Sequence, residues 1–110
     1  IVAVEPEDSQ VLSGGRAGQH MIEGIGAGFV PSILETALID EVIPIANETA
    51  FRMARRTASI EGLPIGISAG AALAAAVELC ERPEMDGRRI VVIIPSFAER
   101  YLSTPLFDKL

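Results

Sequence analysis

The chain has 110 residues, 49% of them apolar, a net charge of −6 and a single cysteine. At this length one domain with a modest core is the default, and the acidic balance argues against a nucleic-acid-binding surface. The longest uncharged runs are interrupted by Gly, Pro and Ser and fall short of the roughly 18 continuous apolar residues of a membrane span. A lone cysteine excludes an internal disulfide and leaves the redox compartment open, although it favours a reducing one.

Short apolar runs alternate with helical patterns, which is typical of βα units around a parallel sheet. The opening run IVAVEP predicts a buried strand, and because no initiator Met or targeting segment precedes it, we expect a piece of a longer protein. Residues 5–31 predict a long irregular connection, and DEVIPI at 40–45 predicts a second strand. Asn47 is predicted to cap an amphipathic helix that Gly62 ends. The buried face of that helix is predicted to hold Ala50, Phe51, Ala54 and Ala58.

The second half of the chain repeats the alternation. LPIGI predicts a short strand, and residues 69–81 predict a helix that is apolar nearly all round and therefore covered on most sides. GRRIVVIIP, with consecutive β-branched residues at 90–94, predicts a central strand buried on both faces. The fold class is therefore α/β, part of a doubly wound, mostly parallel sheet with helices on both faces.

The long connection contains GIGAG at residues 24–28. This pattern resembles a dinucleotide fingerprint but does not lie directly between a strand and a helix, so nicotinamide or flavin binding through it is disfavoured. Two interpretations stay open: a bent loop with several positive φ angles, or a loop whose glycines let the backbone approach a ligand.

Other candidate groups are isolated. His20 and Cys80 are the only residues of their types, too few for a zinc site. We expect Cys80 to be a small buried hydrophobe and not the nucleophile partner of His20. Glu5, Glu7 and Asp8 are interpreted as a solvated loop, since Pro6 lies among them.

Ser68, in GISAGAALAAA, stands where the second predicted helix begins. As a purely structural residue it would be the N-cap, with its oxygen accepting from the backbone N–H of Gly70 or Ala71. Ligands in parallel sheets gather at the carboxyl ends of strands, so a ligand contact is an equal alternative. An anion at the helix N-terminus would make residues 66–71 a phosphate cradle.

Several segments resemble, in the same order, those of cysteine synthases, also called O-acetylserine sulfhydrylases, which are fold-type II enzymes that use pyridoxal phosphate. They are VEPEDSQVLSGG, HMIEGIGAGFVP, IDEV, GISAGAALAAA and PSFAERYLSTPLF. The resemblance covers essentially all of residues 1–110 and implies the C-terminal part of such an enzyme. It implies a β-replacement in which acetate leaves O-acetylserine and sulfide adds to give cysteine. A homodimer and a cleft that accepts the C-terminal tail of serine acetyltransferase are further implications.

The resemblance also implies roles for residues. Ser68 would contact the pyridine nitrogen of the cofactor, whose phosphate would be held elsewhere by a glycine/threonine loop. Pro95 and Ser96 would lie near the cofactor ring. The substrate cleft would be lined by Gly24, Ile25, Gly26 and Ala27.

Two features of the family are missing from this sequence. The only lysine is Lys109, which lies in no motif, and there is no glycine/threonine phosphate loop. In the family the Schiff-base lysine and the phosphate loop lie upstream of the matching segment. We therefore expect no catalytic residue in this chain and no activity in isolation.

Two alternatives follow from departures within the resemblance. Cysteine synthases often have a second serine where this chain has Ala69, whereas the related cystathionine β-synthases tend to carry Ser-Ala-Gly. ERYLSTPLF, in contrast, resembles cysteine synthases. A catalytically inactive relative that serves as a binding module is the alternative from another functional class.

Overall fold

The computed structural model describes residues 1–108, so Lys109 lies outside the described residues. Strand β1, Val2–Pro6, pairs in parallel with strand β2, Glu41–Ile45. The pairing is in register along the whole length, from Val2 opposite Glu41 to Pro6 opposite Ile45. This confirms the positions of the first two predicted strands, although β1 is buried only at Glu5 and Pro6 and not along its whole length as predicted. With the helices, the pairing confirms the α/β class and the parallel sheet.

Helix α1, Asn47–Glu61, begins and ends close to the predicted positions. Gly62 ends it in the left-handed conformation with φ +69°, as predicted. Its buried residues are Ala50, Phe51, Ala54 and Thr57. Thr57 thus takes the place predicted for Ala58, which is half-buried.

The predicted cap of α1 is wrong. Ala46 is the N-cap, and Asn47 is already the first helical residue. The Asn47 side chain instead accepts a hydrogen bond from the Met21 N–H at 2.9 Å and donates one to Asp8 at 3.0 Å. Asn47 therefore ties the long irregular connection to α1, because the loop offers its side chain both a donor and an acceptor.

Helix α2, Ile67–Cys80, begins two residues before the prediction. Gly66 is its N-cap and no side chain makes a capping hydrogen bond, so of the two interpretations of Ser68 the cap is wrong. Coverage of α2 on most sides is confirmed, since eight of its residues are buried: Ile67, Ser68, Ala69, Gly70, Ala71, Ala74, Ala75 and Leu79. Cys80, however, is exposed, which corrects its predicted burial: the last turn of α2 carries it out of the core.

The two helices touch at Gly70 of α2. A Cβ at this position would lie 2.3 Å from the backbone oxygen of Ala50 and 3.0 Å from the Cβ of Ala54. The backbones of α1 and α2 therefore approach as closely as a glycine permits. This crossing fixes α2, which also contacts both strands.

Residues 63–67 and 87–95 form no strand, which corrects two predictions. The first segment has only an isolated antiparallel bridge between Ile65 and Phe97. In the second, Val91 and Ile93 are 80% and 75% exposed. A central strand needs a hydrogen-bonded neighbour on each side, and the strands within residues 1–108 pair with each other instead. No helix in this described range is long and apolar enough to cross a membrane.

Candidate functional site

The start of α2 is held against the segment that carries Ser96. The Gly66 N–H donates to the Ser96 carbonyl at 2.9 Å. A Cβ on Gly66 would lie 2.3 Å from the Ser96 Oγ and 2.7 Å from the Tyr101 ring. Glycine at 66 is thus required for this approach. Pro95, the residue before Ser96, is exposed.

Ser68 faces the glycine loop, residues 24–28. Ser68 is buried, with only 5% of its surface exposed. A Cβ on Gly24, which has φ +99°, would lie 3.4 Å from the Ser68 Oγ. Because Ser68 is the second residue of α2, its hydroxyl lies at the positive end of the helix dipole.

The glycine loop bends through three left-handed residues, with φ angles of +99° at Gly24, +65° at Gly26 and +85° at Gly28. This confirms the predicted bent loop. The loop also lines a cavity of about 450 Å³, so the two interpretations of its glycines are compatible. All four predicted cleft residues line this cavity: Gly24, Ile25, Gly26 and Ala27.

Glu5 also lines the cavity, and its prediction as a solvated residue is wrong. It is 2% exposed, and its carboxylate accepts from the backbone N–H groups of Leu12 at 2.8 Å and Ser13 at 3.1 Å. The Ser13 hydroxyl donates a third bond at 2.5 Å. Irregular backbone near the core needs acceptors for its N–H groups, and Glu5 supplies them. Glu7 and Asp8 are exposed, as predicted.

The sequence does not predict a role for His20, but its side chain contacts the glycine loop directly. Its Nε2 lies 2.8 Å from the Gly26 carbonyl oxygen. Its Nδ1 accepts a hydrogen bond from the Ile22 N–H at 3.2 Å. Cys80 lies at the far end of α2 from Ser68. No cluster of three metal-ligating side chains occurs in the part of the chain that the structure describes.

The structure therefore brings several of the predicted site residues together near the start of α2. Ser68 and Gly24 are neighbours, and Ser96 contacts Gly66 two residues before Ser68. Tyr101 joins this group, because its hydroxyl lies 3.0 Å from the Ser96 Oγ. The sequence does not predict this contact. The contact depends on how the irregular segment after Ser96 turns back, and the five-residue spacing does not determine that path.

Comparison with known proteins gives consistent results. A sequence profile of the family described as pyridoxal-phosphate dependent enzyme matches residues 1–96. The cysteine synthase of Staphylococcus aureus strain Mu50 is 50% identical over 108 residues, which is 98% of this chain and 34% of that protein. The chain thus spans about a third of the length of this relative.

Solved structures agree with the sequence matches. The cysteine synthase (OASS) of Entamoeba histolytica has a TM-score of 0.96 and 50% identity, covering 97% of this chain and 32% of that one. O-acetyl serine sulfhydrylase isoform 3 of the same organism has a TM-score of 0.98 and 44% identity, covering 100% and 33%. The O-acetylserine-dependent cystathionine beta-synthase of Helicobacter pylori has a TM-score of 0.86 and 41% identity, covering 96% and 34%. Since the profile spans residues 1–96 of 110, this chain belongs to the family of pyridoxal-phosphate-dependent enzymes.

Proposed function

We propose that this chain supplies the cofactor-ring side of the active site in a cysteine synthase, which makes L-cysteine from O-acetyl-L-serine and sulfide by β-replacement. One observation carries the proposal. The buried Ser68 hydroxyl, at the positive end of α2, faces a glycine loop that lines a cavity of about 450 Å³. The identity of 50% to the S. aureus cysteine synthase supports the choice of reaction.

The residues present fit pyridoxal phosphate. Ser68, Pro95 and Ser96 would hold the ring, and the glycines at 24 and 66 keep side chains away from the start of α2. When bound, this cofactor supplies an electron sink for bond cleavage in amino-acid substrates. Its phosphate would be held by a part of the enzyme that this chain does not supply. The phosphate cradle considered for residues 66–71 is accordingly not part of the proposal.

Ser68 would set the protonation of the ring nitrogen. A hydroxyl can donate a hydrogen bond to the neutral nitrogen, and because it carries no negative charge it does not stabilise the protonated nitrogen as a carboxylate would. The positive end of α2 further disfavours a cation at the same place. An acidic side chain would have the opposite effect and keep the nitrogen protonated. Ser68 therefore favours the neutral ring, which suits a reaction whose leaving group carries the electrons away.

The cavity along the glycine loop is the proposed substrate site. Its volume of about 450 Å³ lies in the range that small-molecule sites occupy, roughly 300–1,000 Å³. Of the residues that line it, Gly24, Gly26 and Ala27 carry at most a methyl group, whereas Ile25 has a large apolar side chain. The substrate can therefore approach the backbone closely at this wall.

The remaining parts of the enzyme belong to the proposal too. Lys109 is the only lysine of the sequence, so the Schiff-base lysine is proposed to lie in the two thirds of the relatives' length that this chain does not span. The chain would accordingly be inactive alone. We also propose a cytoplasmic homodimer whose cleft accepts the C-terminal tail of serine acetyltransferase.

A chimera tests the proposed function. In the S. aureus cysteine synthase, this chain replaces the matching third, and the parent enzyme is the control. The chimera is expected to bind pyridoxal phosphate and form cysteine from O-acetylserine and sulfide, while the isolated chain forms none. A folded chimera that binds the cofactor but forms no product would contradict the proposed reaction and support a non-catalytic binding module.

Cystathionine synthesis is the second candidate, favoured by Ala69 directly after Ser68 and by 41% identity to the H. pylori enzyme. Parallel assays of the chimera with sulfide and with homocysteine distinguish cystathionine synthesis from cysteine synthesis. Preference for sulfide supports cysteine synthesis. Preference for homocysteine, not shown by the parent, would assign the chain to cystathionine synthesis.

A further inference from the structure

We propose that His20 is a positioning residue that, as the neutral tautomer with its proton on Nε2, holds the glycine loop in the conformation that shapes the cavity and places Gly24 against Ser68. The geometric part of this proposal stands on the structure of the loop. Its effect on substrate binding rests on the proposed function. His20 does not line the cavity, so it is proposed to act through the loop.

The tautomer follows from the two partners of the imidazole ring. The Gly26 carbonyl oxygen can only accept a hydrogen bond, so Nε2, at 2.8 Å, must donate. The Ile22 N–H can only donate, so Nδ1, at 3.2 Å, must accept. Only the neutral ring with the proton on Nε2 satisfies both bonds.

The imidazole ring of His20 makes one of the few hydrogen bonds that hold the glycine loop in place. Across the described range 1–108, the backbone of residues 24–28 takes part in two hydrogen bonds. One is a long bond from the Ile25 N–H to the Ile22 oxygen at 3.5 Å, and the other is the bond from His20 to Gly26. A loop with so few backbone hydrogen bonds depends on a side chain to select one conformation.

Close packing of Gly26 between His20 and Pro6, called the clamp below, also restricts the loop. A Cβ on Gly26 would lie 2.5 Å from the His20 Nε2 and 2.5 Å from the Cγ of Pro6, the last residue of β1. Gly26 is therefore enclosed between the imidazole ring and the end of the strand. Ile22, the other partner of His20, is fully buried and anchors the ring to the core. His20 thus links the core to the centre of the loop.

Nitrogen NMR tests the tautomer without any catalytic assay. His20 is the only histidine of this chain, so in the chimera labelled with ¹⁵N-histidine it contributes one pair of ring nitrogen signals, which are assigned by their absence in His20→Gln. At neutral pH we expect a one-bond proton coupling at Nε2 of His20 only. A proton on Nδ1, or averaging between the two tautomers, would overturn the proposal.

Substitutions in the chimera test the positioning role. His20→Leu removes both hydrogen bonds, whereas His20→Gln keeps an amide donor for the Gly26 carbonyl. We expect His20→Leu to raise the KM for O-acetylserine about tenfold while kcat changes less than about twofold, since lost loop order weakens binding. His20→Gln should recover part of this loss. Gln19→Leu, at the exposed neighbouring position, is the control and should leave KM unchanged.

The outcomes separate this proposal from the proposed function. An unchanged KM in His20→Leu, or a kcat loss as large as the KM change, would overturn the positioning role. An inactive chimera would contradict the proposed function only, because the NMR result decides the tautomer by itself. If His20→Leu does not fold, His20→Gln carries the kinetic comparison.

Discussion

At the start of α2, Gly66 has no Cβ, and this allows the segment that carries Ser96 to contact the helix. Gly66 leaves room for the Ser96 hydroxyl, which lies 3.0 Å from the hydroxyl of Tyr101. Tyr101 is buried, so its hydroxyl needs a partner inside the protein. Ser96 and Tyr101 therefore satisfy each other and fix the segment beside the proposed cofactor site.

This pair is testable by a double-mutant cycle in the 110-residue chain. Tyr101→Phe and Ser96→Ala should each lower the free energy of unfolding by about 1 kcal/mol, because each removes the same hydrogen bond. The double variant should cost little more than either single change. Urea denaturation followed by circular dichroism measures all four proteins. Additive losses would show that the two hydroxyls do not interact.

Gly26 tests the clamp on the glycine loop, and Gly14 provides a matched control. Both have positive φ, but an added Cβ meets Pro6 at 2.5 Å only at Gly26, whereas nothing lies within 4 Å at Gly14. Gly14→Ala should cost about 1–2 kcal/mol from backbone strain alone. Gly26→Ala should cost about 1–3 kcal/mol more, because Pro6 ends a strand and cannot move freely. Equal midpoints of urea denaturation would contradict the close packing.

At the level of elements, the contact between α1 and α2 organises the molecule. Gly70 brings α2 against the backbone oxygen of Ala50, and the helix then positions Ser68 one half-turn earlier. Gly70→Ala should improve helix propensity by about 1 kcal/mol. The Cβ would nevertheless lie 2.3 Å from a backbone atom, so we expect a net loss of stability.

A second substitution identifies the cause. Ala54→Gly removes the Cβ at 3.0 Å but leaves two backbone atoms of α1 in place, the Ala50 oxygen at 2.3 Å and the Ala54 nitrogen at 3.0 Å. Combining it with Gly70→Ala should therefore not restore the thermal midpoint, because the carbonyl remains the obstacle. Full restoration would show that the side chain of Ala54, and not the backbone of α1, limits the approach.

The elements also show what the sequence could predict. The bounds of α1 and the left-handed Gly62 follow from local periodicity and from the conformational freedom of glycine, so they were predictable. The β-branched residues at 90–94 predicted a strand, but a strand also needs neighbours, which composition does not specify. His20 and Tyr101 were missed because their contacts are made by irregular segments, whose path no periodicity reports.

Over the whole molecule, an ion pair joins the start of β2 to the turn after α2. Arg82 donates two hydrogen bonds to the Glu41 carboxylate, at 2.7 and 2.8 Å. These bonds, and secondarily the guanidinium charge, hold the pKa of Glu41 below its ordinary value of 4.5 despite an opposing desolvation effect. The same carboxylate raises the pKa of Arg82, which stays charged throughout.

This pair predicts a pH dependence with a definite sign. A carboxylate whose pKa is lowered in the folded state stabilises the fold above its unfolded pKa, and this contribution is lost as pH falls through the folded pKa. Glu41→Gln should therefore reduce stability at pH 7, and its difference from the unsubstituted chain should shrink below about pH 4.5. Glu61→Gln, at the exposed end of α1, is the control. A difference that grows at low pH would contradict the assignment.

The start of α2 is proposed to form the ring side of a pyridoxal phosphate site, and the turnover of Ser68 variants in the chimera is the decisive measurement. Ser68→Ala removes the hydroxyl, and Ser68→Asp would stabilise the protonated form of the ring nitrogen, which the proposed role of Ser68 disfavours. We expect each change to lower kcat for cysteine formation by about tenfold or more, with the fold retained. Full activity in both folded variants would contradict the claim.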